Sequence, residues 1–265
     1  MRRQAVRSAA VPSLFDAPAF NASLFFPRRD AGPCPANARD LRVDVAPGIA
    51  LHLRLHHAPA ARCVVLLFHG NGEVVADYDA AAASFARIGA SLAIVDYRGY
   101  GASDGTPTLR ACITDAHAVL AAVRTIAGDQ PLVVMGRSLG SACAAELCQI
   151  APAAAEGFVL ESGIGDVYGI LRRRGIELSA PLPAEDLAVF DPLRKFARCS
   201  APTLVLHGAN DTLIPATEAQ LTFDALATAD KALVLVPDRG HNDLSHHAIY
   251  WDALAAFLAR VAPAG

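Results

Sequence analysis

Three residues in the chain have the types and order needed for acyl transfer. Ser138 sits in Gly136-Arg137-Ser138-Leu139-Gly140, between an apolar run ending at Met135 and a helix-like pattern over 139–150. A serine held on a tight strand-to-helix turn exposes its oxygen. Glycines two residues to either side remove side chains that would clash there. A serine needs a base, and the base needs a carboxylate to orient it. Asp211 follows the apolar run 203–206, and His241 follows the apolar run 233–236. The order serine, aspartate, histidine differs from the orders of the two protease types that share this chemistry.

Acyl transfer also needs donors for a tetrahedral oxyanion. The residue after the nucleophile supplies one backbone N–H, here that of Leu139. The second comes from the loop after the third strand. That loop reads His69-Gly70-Asn71-Gly72-Glu73 and offers Asn71, with glycines on both sides that permit close approach. The loop lacks the GxGxxG pattern of a dinucleotide site.

The other histidines read differently. His69 and His207 each precede a glycine in a loop with another task. His52, His56 and His57 fall on an early hairpin and read as solvated. His117 lies mid-helix, and His246 and His247 lie in the last helix. Asp238 reads as a turn residue. Asp96 and Asp104 flank the 97–105 loop and read as holding it by local hydrogen bonds.

These residues need strand ends to hold them. Residues 41–45 and 50–56 alternate apolar and polar and flank a turn at Ala46-Pro47-Gly48, as a hairpin does. Short apolar runs follow at 63–68, 91–95, 132–135, 158–160, 203–206 and 233–236. Such runs suit parallel strands covered on both faces. Helical patterns intervene at about 73–88, 108–127, 139–150, 215–228 and 245–261. The alternation predicts an α/β sheet in which ligands bind outside the carboxyl ends of the strands. Residues 1–40 read as an N-terminal arm pinned by Leu24, Phe25 and Phe26. Residues 41–265 form the main domain, with a cap-like insertion at about 162–191. Arg2, Arg3 and Arg7 give the first residues a faint transit-peptide character.

Composition excludes several classes. The chain has 265 residues, 53% of them hydrophobic and 18% charged, enough for one large buried core. Its net charge of −3 gives no electrostatic footprint for nucleic acid. No apolar run approaches the ~20 residues of a spanning helix. The six cysteines show no CxxC pair and no metal-like spacing with histidine. They read as buried free thiols of a reducing, cytoplasmic compartment, with a disulfide among them as the alternative.

Together these motifs make residues 41–262 resemble the α/β-hydrolase superfamily. Val95-Asp96-Tyr97-Arg98-Gly99-Tyr100-Gly101-Ala102-Ser103-Asp104-Gly105 looks like the D-Y-x-G-x-G-x-S loop of its serine hydrolases. His69-Gly70-Asn71 and Gly240-His241-Asn242-Asp243 look most like the branch containing protein depalmitoylases and related bacterial hydrolases. The resemblance implies an eight-stranded, mostly parallel sheet whose second strand is antiparallel. It also implies Ser138 as nucleophile, Asp211 as acid, His241 as base, and Asn71 and Leu139 as oxyanion donors. It implies no metal and no organic cofactor, and a small-molecule ester or thioester as substrate. Depalmitoylases carry an N-terminal cysteine cluster, whereas residues 1–33 here contain no cysteine, so a membrane anchor does not carry over.

In the cap, Tyr168, Ile170, Leu171, Leu182, Leu187 and Phe190 are candidates for an acyl pocket, Leu171 and Phe190 foremost, with packing of the cap as the alternative. Arg172-Arg173-Arg174 reads as a solvated helical face. The alternative is a basic rim for an anionic leaving group or a lipid headgroup. A peptidase or other acyl-transfer reaction on the same triad, or a non-catalytic binding protein on this fold, are the competing functions.

Overall fold

The computed structural model describes residues 13–150 and 155–263. Arg2, Arg3 and Arg7 lie outside the described residues. The strands are β1 (Ala38–Ala46), β2 (Ile49–His56), β3 (Cys63–Phe68), β4 (Ala90–Val95), β5 (Leu132–Arg137), β6 (Gly157–Glu161), β7 (Thr203–Gly208) and β8 (Lys231–Val236). They form one sheet in the order β1-β2-β4-β3-β5-β6-β7-β8. β2 runs antiparallel to both neighbours, and every other pair is parallel. Strands β3, β4 and β5 are buried along their whole length, which is why they read as unbroken apolar runs.

The helices are α1 (Pro18–Leu24), α2 (Ala82–Arg87), α3 (Leu109–Ala127), α4 (Ser141–Cys148), α5 (Val167–Arg173), α6 (Ala184–Phe190), α7 (Pro192–Phe196), α8 (Ala216–Ala225) and α9 (Ala248–Val261). Two apolar layers result. One holds Leu66, Val134, Val119 and Phe158, and the other holds Val65, Leu67, Val133 and Leu254. The cap segment is built from α5 and α6 rather than from irregular chain. No helix among the described residues is long and apolar enough to cross a membrane.

Five expectations change. The helix over 73–88 is two pieces, a 3₁₀ turn at Val75–Tyr78 and then α2. The carboxylate of Asp96 accepts the N–H of Val75, and Asp79 is committed to Arg54, so the chain turns between them. Asp96 and Asp104 also bond beyond their own loop. Asp96 reaches His52, and Asp104 accepts the N–H of Ala50.

The hairpin histidines are not solvated. His52 is 3% exposed and His56 is 4% exposed, because β2 is an interior strand. His52 lies between Asp96 at 2.9 Å and Asp40 at 3.2 Å. Arg54 is fully buried against Asp40 and Asp79. Its hydrogen bond prevails over burial at Asp40 and holds that carboxyl down at about 2. The polar positions of β2 therefore face a buried ionic layer rather than water. His57 is exposed, as expected.

The described part of the arm, residues 13–37, packs unevenly. Leu24 and Phe25 are buried, while Phe26 is 58% exposed.

The cysteines divide. Cys63, Cys112 and Cys143 are buried thiols and Cys34 is an exposed one, whereas Cys148 and Cys199 form a disulfide. Packing of α4 on α7 brings the pair together. The bond removes the thiol argument for a reducing compartment. It closes a loop of 51 residues, which corresponds to roughly 2–4 kcal/mol of stability. Peptide mapping without reductant should recover the Cys148–Cys199 link, and reduction should lower the denaturation midpoint. Six titratable thiols in the unfolded, unreduced chain would contradict the pairing.

Candidate active site

Strand β5 delivers Ser138 into a 3₁₀ turn with φ of +50°, a strained conformation for a residue with a side chain. The flanking glycines are needed for space. A Cβ on Gly136 would stand 2.6 Å from the Gly140 carbonyl oxygen, and one on Gly140 would stand 2.0 Å from that of Phe68. Strands β3 and β5 and the start of α4 can close on one another only without those carbons.

The loop after β7 brings Asp211, and the loop after β8 brings His241. They meet because Gly208 lets the two loops touch. A Cβ there would lie 2.2 Å from the carbonyl oxygen of Gly240. His241 Nδ1 is 2.7 Å from Asp211 Oδ2, and His241 Nε2 is 2.9 Å from Ser138 Oγ. With its proton on Nδ1, the ring presents a lone pair to the serine hydroxyl. Asp211 Oδ1 accepts the N–H groups of Leu213 and Ile214 at 2.9 and 2.8 Å. Burial pushes the Asp211 carboxyl up. Hydrogen bonds from His207, His241 and the Ile214 amide outweigh it and hold the group well below the usual carboxylate range. His207 is fully buried, with Nε2 at 2.8 Å from the Ile214 carbonyl oxygen, and so braces the acid's loop.

Asn71 and Leu139 line the same cavity as Ser138 and His241. The Asn71 side chain is occupied: Oδ1 accepts from Tyr100 Oη at 2.7 Å and from the Phe26 N–H at 3.0 Å, while Nδ2 donates to the Leu24 carbonyl. Its backbone N–H has no acceptor among the described residues. The side chain thus fastens the arm, and the main chain is left for a ligand.

Arg137, one residue before Ser138, was missed as a functional residue. Its guanidinium pairs with Glu73 and with Glu161, and donates to the His241 carbonyl at 3.2 Å and to Asn242 Oδ1 at 2.8 Å. Glu73 in turn accepts the Gly70 N–H at 2.7 Å and the Tyr78 hydroxyl at 2.6 Å. Glu161 accepts the Tyr250 hydroxyl at 2.8 Å. The available signal was a charged residue closing an otherwise apolar strand.

The cavity has a volume of about 480 Å³. Its apolar lining comes from Leu24, Phe26, Ile164, Ile170, Leu213 and Ile214. Of the six cap candidates Ile170 lines it, whereas Leu171 and Phe190, the foremost two, do not. Leu171 is buried in the core, one helical step from Ile170, which does face the cavity. The Phe190 ring packs 4.5 Å from that of Phe15, with Arg110 at 4.9 Å over its face.

Comparison with known proteins bears on the family and the fold. Residues 59–171 match the family model described as serine aminopeptidase, S33. An uncharacterized protein of Mycobacterium tuberculosis is 30% identical over 256 residues, covering 91% of this chain and 88% of that one. The alpha/beta hydrolase domain-containing protein 17C of Mus musculus is 27% identical over 78% of this chain and 62% of its own. Among solved structures, an esterase of Pyrococcus furiosus superposes with a TM-score of 0.70 at 18% identity, covering 88% of this chain and 98% of that one. By its relatives, its sheet order and its fold, the chain belongs to the α/β-hydrolase superfamily.

Proposed function

We propose that this protein is a serine hydrolase that cleaves carboxylic ester or thioester bonds of a small or acyl-chain substrate. The observation that carries the reading is the continuous line from Asp211 through His241 to Ser138, with separations of 2.7 and 2.9 Å.

Ser138 Oγ attacks the carbonyl carbon as its proton passes to His241 Nε2. The Asn71 and Leu139 N–H groups take the oxyanion. The intermediate collapses, the bond to the leaving oxygen or sulfur breaks, and His241 returns its proton to that atom. Water then attacks the acyl-enzyme as His241 again accepts the proton; the bond from the acyl carbon to Ser138 Oγ breaks, His241 returns the proton to Oγ, and the acid leaves. Asp211 stays ionised and stabilises the imidazolium. These steps use only groups of this chain.

The matched family model is described as an aminopeptidase. The cavity favours an ester over a peptide with a free amino terminus. An ammonium group needs an uncommitted carboxylate. Glu73, the acid among the lining residues, is already bound to Arg137, Gly70 and Tyr78.

With nitrophenyl esters, Ser138→Ala should lower kcat on the order of 10⁶-fold while leaving the fold intact. Asp211→Asn should cost less, about 10⁴-fold, since it disturbs the tautomer and orientation of the base. Ser138→Ala activity within tenfold of the parent would remove Ser138 from the reaction. A second check uses pH. Because the Asp211 carboxyl sits well below its ordinary range, it should stay ionised at pH 4. The carbon-13 resonance of that carboxyl should not move between pH 7 and 4. A titration in that window would mean that Asp211 takes up a proton.

A further inference from the structure

The C-terminal end of α5 forms part of the wall of the cavity that holds Ser138, through Ile170 and Arg173, with Arg174 just beyond the helix. The two arginines are adjacent but differently partnered. Arg173 pairs with Glu218, which also accepts the N–H of Gly165. Arg174 meets no carboxylate among the described residues. It donates to the carbonyls of Ser23 and Leu24, and its guanidinium lies 5.6 Å from the centre of the Phe26 ring. Burial, and then the like charge of Arg173, pull its pKa below the ordinary value. A guanidinium has five N–H donors, so two carbonyls do not exhaust it. Arg174 is therefore a partly desolvated cation in the cavity with spare donors and no counter-charge. The cavity's acid, Glu73, is spoken for by Arg137.

We propose that Arg174 recognises an anionic group on the substrate. The preferred substrate is then an ester or thioester that carries a carboxylate or phosphate away from the scissile bond. The inference rests on the serine-hydrolase reading of the same cavity. A planar fork facing a carboxylate or phosphate forms charge-assisted hydrogen bonds, stronger than neutral ones and stronger still out of water. Ile164 and Ile170 would flank the intervening chain.

The test measures equilibrium binding to the Ser138→Ala protein, so that no turnover is needed. Two pairs of probes separate the sources of charge. Monomethyl glutarate against methyl valerate tests a carboxylate on the acyl chain. Butyryl-coenzyme A against butyryl-N-acetylcysteamine tests phosphate on the leaving group. The charged member of at least one pair should bind at least about tenfold more tightly. The ratio should fall toward one in Ser138→Ala/Arg174→Gln and be largely kept in Ser138→Ala/Arg174→Lys. The lysine variant retains the charge without the two-carbonyl grip on the arm. The preference should also shrink as salt is raised. Equal binding within both pairs, a preference that survives Arg174→Gln, or an equal loss for charged and neutral probes would overturn the proposal. The last outcome would leave Arg174 as a clasp for the arm. Turnover of nitrophenyl valerate by the unaltered chain reports separately on the hydrolase reading.

Discussion

One buried guanidinium, that of Arg137, ties together the three loops that must agree for the site to exist. It stands at the end of β5 beside Ser138. It reaches the loop after β3 through Glu73, and the loop after β8 through the His241 carbonyl and Asn242. Burying a charge costs several kcal/mol unless it is fully partnered. Here two carboxylates and two further acceptors meet it, and tyrosine hydroxyls complete the carboxylates. Burial raises the Glu161 carboxyl, and Arg137 works against that rise. Loops are the most adaptable parts of a fold, yet a serine and a histidine must stay within hydrogen-bond distance. The Arg137 cluster makes that distance a property of the core.

A second ionic layer serves the β1–β2 end of the sheet. Arg54 joins β1 to the segment before α2 through Asp40 and Asp79. Asp96 links His52 to the Val75 N–H, just beyond the loop that carries Asn71. The N-terminal arm is fastened at the same place. Leu24 accepts from Asn71 and Arg174, and Phe26 donates to Asn71 and Tyr100. The arm is thus part of the cavity wall, joining the Asn71 loop to the end of α5.

The parts legible in the sequence were those written in local pattern. Fully covered parallel strands give unbroken apolar runs, and residues just past their ends gather at one edge of the sheet. Ser138, Asp211 and His241 could therefore be placed together from strand ends alone. What escaped depends on partners distant in sequence. The alternation in β2 resembles a solvated face, and only its interior position shows that His52, Arg54 and His56 face buried acids. Arg137 is one letter of a serine motif until Glu73, Glu161 and Asn242 converge on it. Cys148 and Cys199 are 51 residues apart and pair because α4 packs on α7. In α5 the sequence offers both Ile170 and Leu171, one helical step apart, and only the packing of the helix puts the first in the cavity and the second in the core.

The proposed reaction requires Ser138 to be the residue activated for attack. Diisopropyl fluorophosphate reacts with a serine made nucleophilic by a neighbouring base, and mass spectrometry of the digested protein locates the adduct. One phosphoryl adduct per chain is expected, on the peptide containing Ser138, formed with the same pH dependence as ester turnover. An active protein that stays unmodified, or an adduct on another serine with Ser138 untouched, would contradict it.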